Sequence, residues 1–142
     1  GVDPTLEFVT IAQLKHPELI GRIALGQLPD LHTTFNGDFD GVLCSAVLMH
    51  IDIEQLPATA AAIKRCMKQS GRLLYSVPSK RLDVVASNRD ANGRLFIPDQ
   101  ASRLNSLFSD LGFIEIQSWT NSDSMGRDAV EWVSVLLELQ AA

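Results

Sequence analysis

Clustered positive charge is missing from this chain. Of its 142 residues, 12 are Lys or Arg and 17 are Asp or Glu, for a net charge of −5. Without a cationic stripe there is no electrostatic footprint for nucleic acid, and no nucleic-acid partner is expected. No apolar run reaches 18 residues and no signal-peptide pattern is present, so neither a membrane partner nor export is expected. Cysteine is scarce: Cys44 and Cys66 form no CxxC pair and no metal-ligand spacing. That argues against zinc and against a disulfide framework, and free thiols point to a cytoplasmic protein. Nine glycines stand at 1, 21, 26, 37, 41, 71, 93, 112 and 126, and no two are separated by a single residue. The GxGxxG fingerprint is therefore absent, which disfavours a dinucleotide oxidoreductase. Nor does a GxSxG surround Ser45, so a nucleophilic serine is disfavoured too.

What is present is hydrophobic content, 46% of residues, enough to build the core of one domain. The chain from Val42 to Met49 is apolar with only Ser45 interrupting. A short run of this kind suits a strand covered on both faces, as in a parallel sheet under helices. Asp52 and Gln55 then stand in the relation of a capping box. Leu56, Ala60, Ile63 and Met67 recur at helical spacing, and Gly71 follows where a helix-ending residue is expected. In open α/β sheets ligands bind beyond the carboxyl ends of central strands, so Ser45, Ala46 and His50 are expected near a crevice.

The rest of the chain supports the same architecture. Val2-Asp3 reads as the end of a strand, and Thr5 as the cap of a helix with Phe8, Ile11 and Ala12 on its apolar face. His16-Pro17 ends that helix. Arg22 to Leu25 reads as a short strand closed by Gly26 to Pro29, and 31–38 is turn-like. Leu73 to Val77 reads as a strand stopped by Pro78. Lys80 to Ile97 is polar, with Asn88, Asn92 and Gly93 and no sustained period, the mark of a functional or mobile loop. Asp99 is placed to cap a helix bearing Ala101, Leu104, Leu107 and Leu111, closed by Gly112. Phe113 to Trp119 and Val130 to Glu138 are strand-like and joined without a helix, hence antiparallel. Strands alternating with helices give the α/β class, and with no repeat or composition break residues 1–142 read as one domain.

The segments GVDPTLEF, GQLPDL, FDGVLCSAVLMHI, GRLLYSVPS and LFSDLGF, followed by the closing pair, resemble the class I S-adenosylmethionine-dependent methyltransferases over nearly the whole chain. The resemblance implies a Rossmann-like sheet, mostly parallel with an antiparallel C-terminal strand, S-adenosylmethionine as cofactor, and methyl transfer as activity. It places Asp3 where an acidic residue binds the ribose hydroxyls. Gly26, Gln27 and Leu28 fall in the loop flanking the adenine, with Gln27 departing from the common Asp. Ser45 and Ala46 fall against the methionine part of the cofactor, and His50 beside the substrate. The family's first strand and glycine-rich turn have no counterpart here. The resemblance thus implies an N-terminally truncated domain within a longer protein, binding the cofactor weakly or not at all by itself. The absence of an Asn-Pro-Pro-Tyr motif points to a small-molecule acceptor.

Each residue also has a structural reading. Asp3 either holds ribose or starts a helix. His50 titrates near neutral pH and is a candidate general base, or it satisfies backbone groups at a strand end. Arg89, Arg94 and Arg127 suit bidentate recognition of a carboxylate, or form solvated pairs with Asp90 and Asp128. Phe96, Trp119 and Trp132 read as packing residues. Two functions follow: an enzyme, or a non-catalytic methyltransferase-like module that has lost its cofactor turn. Finally, Val42 to Met49 carries no Lys, Pro or Gly to protect a sheet edge, which leaves three outcomes: strands missing from this sequence fill the edge, two copies pair across it as a homodimer, or Arg22 to Leu25 pairs with it directly.

Overall fold

A computed structural model describes residues 1–31, 38–81, 84, 88–90, 93–97, 99–128 and 130–141. Asn92 and most of the turn-like stretch 31–38 lie outside the described residues. The elements run β1 (Val2–Asp3), α1 (Leu6–Lys15), β2 (Ala24–Leu25), β3 (Phe39–Ser45), α2 (Leu56–Arg65), β4 (Met67–Arg81), α3 (Gln100–Asp110), β5 (Phe113–Ser122) and β6 (Val130–Leu139). The main sheet has the order β3-β4-β6-β5. β3 and β4 are parallel, with Val42 opposite Leu73 and Cys44 opposite Tyr75. β6 is antiparallel to both its neighbours. β1 and β2 form a separate parallel pair. The α/β class and the antiparallel finish are as the sequence implies.

The core follows from period-2 burial along β4. Leu73, Tyr75 and Val77 are fully buried, and Val135, Leu137 and Leu139 of β6 continue that layer. Against it lie Leu56, Ala60 and Ile63 of α2 and Leu104 and Phe108 of α3. Phe108 meets Phe113 edge-on at 5.3 Å. Each such aliphatic or aromatic side chain contributes about 1.5–3 kcal/mol by leaving water.

Several local expectations are corrected. β3 begins earlier than the expected Val42–Ala46 strand, at Phe39, and ends at Ser45, one residue before its expected end; Ala46 turns with φ +54°, and Leu48–His50 forms a 3-10 turn. β3 is not covered on both faces, since Leu43 is 67% exposed at the sheet edge. The Asp52/Gln55 capping box does not form. Asp52 precedes a 3-10 turn, Ile53–Gln55, and the α-helix starts only at Leu56, beside Pro57, which has no N–H to cap. That helix stops at Arg65, and Met67 and Gly71 belong to β4. A Cβ on Gly71 would lie 2.8 Å from the Lys68 carbonyl and 3.2 Å from that of Phe39, so glycine permits the close approach of β3. Pro78 does not stop β4, which absorbs it with a register shift between Pro78 and Lys80. The Thr5 and Asp99 side chains make no capping hydrogen bond. Of the expected Arg22–Leu25 strand, Ala24–Leu25 forms β2, which among the described residues pairs with β1 alone. The expected apolar face of α1 is uncovered: Phe8 is 63% and Ile11 48% exposed.

Candidate active site

Two cavities open beyond the carboxyl ends of β1, β3 and β4, and they share Ala46 and His50. The sharp turn at Ala46 makes this junction. Its N–H, donated to the Ser76 carbonyl at 3.2 Å and to the Ser76 hydroxyl at 3.1 Å, holds a left-handed conformation that a non-glycine residue adopts only under constraint. Leu48 and Met49, both buried, then anchor the 3-10 turn that presents His50. Gln100 of α3 fixes the turn from behind, donating from Nε2 to the Leu48 carbonyl at 2.6 Å.

The first cavity, about 650 Å³, is lined by Asp3, Pro4, Thr5 and Phe8 on one side, Gln27 to Asp30 on another, and Ala46, Val47, His50, Ile51 and Gln55 on the third. One Asp3 oxygen accepts the Thr5 N–H at 2.8 Å, so this carboxylate does start α1. It stands in the cavity wall all the same. Gly26 is not a lining residue; its N–H donates to the Asp3 carbonyl at 3.1 Å and so positions the Gln27–Leu28 segment. Among the described residues the lining holds no Lys, Arg or Gly.

The second cavity, about 720 Å³, takes Ser45 from the end of β3, Met49 from the 3-10 turn, Ser76 and Arg81 from β4, Arg94 and Phe96 from the loop after it, and Asn121 to Met125, Arg127 and Trp132 from β5, β6 and their connection. Thus Ser45, Arg94 and Arg127 meet His50 here. Arg89 lines neither cavity and donates to the Gly93 carbonyl at 2.6 Å. The partners expected for the arginines are revised. Asp90 is buried, not solvated, and Arg127 pairs with Asp123, not Asp128. Asp123 accepts from Arg127 Nε at 2.9 Å, Arg127 Nη2 at 2.8 Å and Trp132 Nε1 at 2.9 Å. The Arg127 and Trp132 hydrogen bonds hold its carboxyl far below the usual carboxylate range. Asp90 accepts from Arg94 Nε at 2.8 Å and lies 3.6 Å from the buried Arg81. Trp132 is therefore a hydrogen-bonding residue as well as a packing one.

Phe96 is buried, with the Arg81 guanidinium 3.6 Å from its ring centroid and the His50 ring edge-on at 5.5 Å. Partial burial lowers the His50 pKa below its ordinary value; a backbone hydrogen bond with Leu95 opposes this, and the Arg94 charge adds to it. His50 is thus a neutral imidazole at pH 7 and can accept a proton. Arg81, Asp90 and Asp123 were not singled out as site residues in the sequence. The shared spacing Asp90…Arg94 and Asp123…Arg127 was the signal available there.

The family model described as "Methyltransferase domain" matches residues 1–75, just over half the chain. No curated protein matches the chain significantly. Among solved structures, a SAM-dependent methyltransferase from Methanosarcina mazei is similar over 100% of this chain and 82% of its own, with TM-score 0.73 and 13% identity. An S-adenosylmethionine-dependent methyltransferase from Clostridium acetobutylicum is similar over 99% and 74%, with TM-score 0.72 and 14% identity. The 1,6-didemethyltoxoflavin-N1-methyltransferase of Burkholderia thailandensis, solved with bound 1,6-didemethyltoxoflavin and S-adenosylhomocysteine, is similar over 99% and 60%, with TM-score 0.68 and 17% identity. At these identities the likeness is one of fold.

Proposed function

The chain belongs to the methyltransferase-domain family, and on that premise we propose that it transfers a methyl group from S-adenosylmethionine to a small-molecule acceptor. The observation that carries this reading is the junction at Ala46 and His50, where two cavities of ligand size meet. The cavity lined by Asp3, Gln27 and Leu28 suits the nucleoside half of the cofactor. It offers a carboxylate for a ribose diol, an amide for a base edge, and Phe8, Leu28 and Val47 as apolar walls. When bound there, the cofactor supplies an electrophilic methyl group, and the protein's task is alignment and exclusion of water.

Ala46 lines both cavities and Ser45 the second, beside the junction. His50, neutral and facing both, accepts the proton of an amine or hydroxyl acceptor. Phe96 packs edge-on against its ring, which keeps an exposed side toward the cavities. In the same reading the buried, unpaired thiols of Cys44 and Cys66 fit a reducing cytoplasm, residues 1–142 act as one domain, and two copies associate along the open edge of β3.

A second reading, a binding or regulatory module without catalysis, is favoured by one observation. No cation and no glycine line the described wall of the first cavity, where the cofactor's amino-acid end needs partners. An assay with methyl-labelled S-adenosylmethionine and a panel of small amines, phenols and carboxylic acids separates the two. Label in an acceptor, with S-adenosylhomocysteine released, is expected. Binding of S-adenosylhomocysteine without transfer to any acceptor class would favour the module.

A further inference from the structure

Two loops that share no sequence neighbourhood build the same device on the second cavity. In one, the Arg94 N–H donates to Asp90 Oδ1 at 3.0 Å, while Arg94 Nε and Nη2 lie 2.8 and 2.7 Å from Oδ2. In the other, the Arg127 N–H donates to Asp123 Oδ2 at 3.2 Å, with Nε on the same oxygen and Nη2 on Oδ1. In both, a carboxylate grips the backbone and the guanidinium of the arginine four residues on. Both carboxylate side chains are buried, 4% and 2% exposed, while the arginine side chains remain 48% and 36% exposed. Such anchoring fixes the rotamer of a long side chain before a ligand arrives, removing the ordering cost that surface arginines incur.

The charge balance has a sign. Among the described residues, the cavity wall carries the guanidiniums of Arg81, Arg94 and Arg127 against one carboxylate, Asp123. With Asp90 behind Arg81 and Arg94 counted, these described groups sum to one net positive charge, in a chain whose net charge is −5. We propose that Arg94 and Arg127 form an anion clamp, and that the acceptor carries a carboxylate or phosphate held by them, with its nucleophilic atom directed to His50. The proposal rests on reading this cavity as the acceptor side. It adds the substrate class: anionic small molecules, recognised by planar, multidentate guanidinium contacts.

Nuclear magnetic resonance on the full ¹⁵N-labelled chain tests this, with succinate, inorganic phosphate and neutral succinamide titrated at fixed ionic strength. The expected result is saturable shifts of the Arg94 and Arg127 Nε–Hε signals with an anionic probe and none with succinamide. Whether succinate or phosphate binds more tightly tells a carboxylate acceptor from a phosphorylated one. Arg94→Gln and Arg127→Gln should each weaken that binding about tenfold or more, the loss of one charge-assisted hydrogen bond. Where a Gln variant fails to fold by circular dichroism, Arg94→Lys or Arg127→Lys keeps the charge, loses the fork, and should weaken binding as well. Equal response to all three probes, no saturable response, or unchanged affinity in the variants overturns the clamp. S-adenosylhomocysteine titrated in parallel separates the readings. Anion binding without it overturns methyl transfer and leaves the clamp standing; the converse overturns the clamp alone.

Discussion

His50 sits among opposing influences: burial against Phe96 and the charges of Arg94 and Arg81 disfavour its proton, while the Leu95 backbone and Asp90 favour it. Burial is the largest, so the pKa moves down and the base form predominates at neutral pH. The sign gives a pH prediction. Methyl transfer should be constant from pH 7 upward through the neutral range and fall as pH drops through a pKa below the ordinary histidine value. His50→Gln should remove that limb and lower kcat/KM by about 10²-fold or more, as loss of a general base does. A pH–rate profile of both proteins checks it; an unchanged limb in the variant would assign the titration to another group. The sequence made His50 visible because it ends an apolar run. It hid Arg81 and Asp123, whose importance lies in burial and in partners that only the folded loops bring near. Asp3 showed both its faces in advance, and the structure keeps both: its oxygen starts α1 while it lines a cavity.

Among the elements, β3 and the turn after it carry the site, and here sequence and structure part in an instructive way. The sequence ends this strand near Ala46, within a residue of where β3 stops, but periodicity does not show the sharp left-handed turn that Ala46 makes there. Alanine at φ +54° lacks glycine's freedom and is held by two hydrogen bonds to Ser76 and by the packing of Leu48. Ala46→Gly should therefore stabilise the fold by about 1 kcal/mol, the left-handed cost relieved. Ala46→Val should destabilise it, because a β-branched residue tolerates that region least. Urea unfolding with unchanged slope reads both; a loss of stability in the glycine variant would mean the turn is not strained. The helix and strand boundaries around Met67 were illegible for a related reason. Helical spacing continues formally through Met67, but the chain reverses at Cys66 so that β4 can pair with β3 and β6. The closing strands were legible because a helix-free connection leaves only the antiparallel solution.

At the scale of the whole molecule, the apolar surface is unevenly covered. The α2/α3 side of β4 is closed, whereas Leu43 at 67% and Phe8 and Leu14 of α1 at 63% and 78% face out. Between β1 and β3 lies a slot of about 300 Å³ with walls that include Val2, Leu28, Val42, Cys44 and Ile63. Among the described residues Val42 to Ser45 of β3 pair with no strand but β4, and their far side lies beside that apolar wall. Edges of this kind associate unless protected, and Leu43 offers no protection. The chain should therefore sediment as a dimer, and Leu43→Lys, which places a charge on the edge strand, should shift it to monomer without loss of helix signal. A wild-type monomer at every concentration tested would remove the edge from the account. The sequence carried this feature as an absence, the lack of Lys, Pro or Gly from Val42 to Met49. It could not show that β1 and β2 would stand apart as their own pair, since that depends on which strands find partners.

The most direct test of the account is an amide chemical-shift map of the labelled chain titrated with S-adenosylhomocysteine. Binding at the Ala46–His50 junction predicts shifts at Thr5, Gln27, Leu28, Ala46 and His50, with Glu115 and Ser118 on the exposed face of β5 unmoved. Because no described cation or glycine stands ready for the amino-acid end, adenosine should produce the same map with similar affinity, and both should bind weakly. Shifts confined to other surfaces, or none at any concentration, would contradict the placement of the cofactor and with it the proposed methyl transfer.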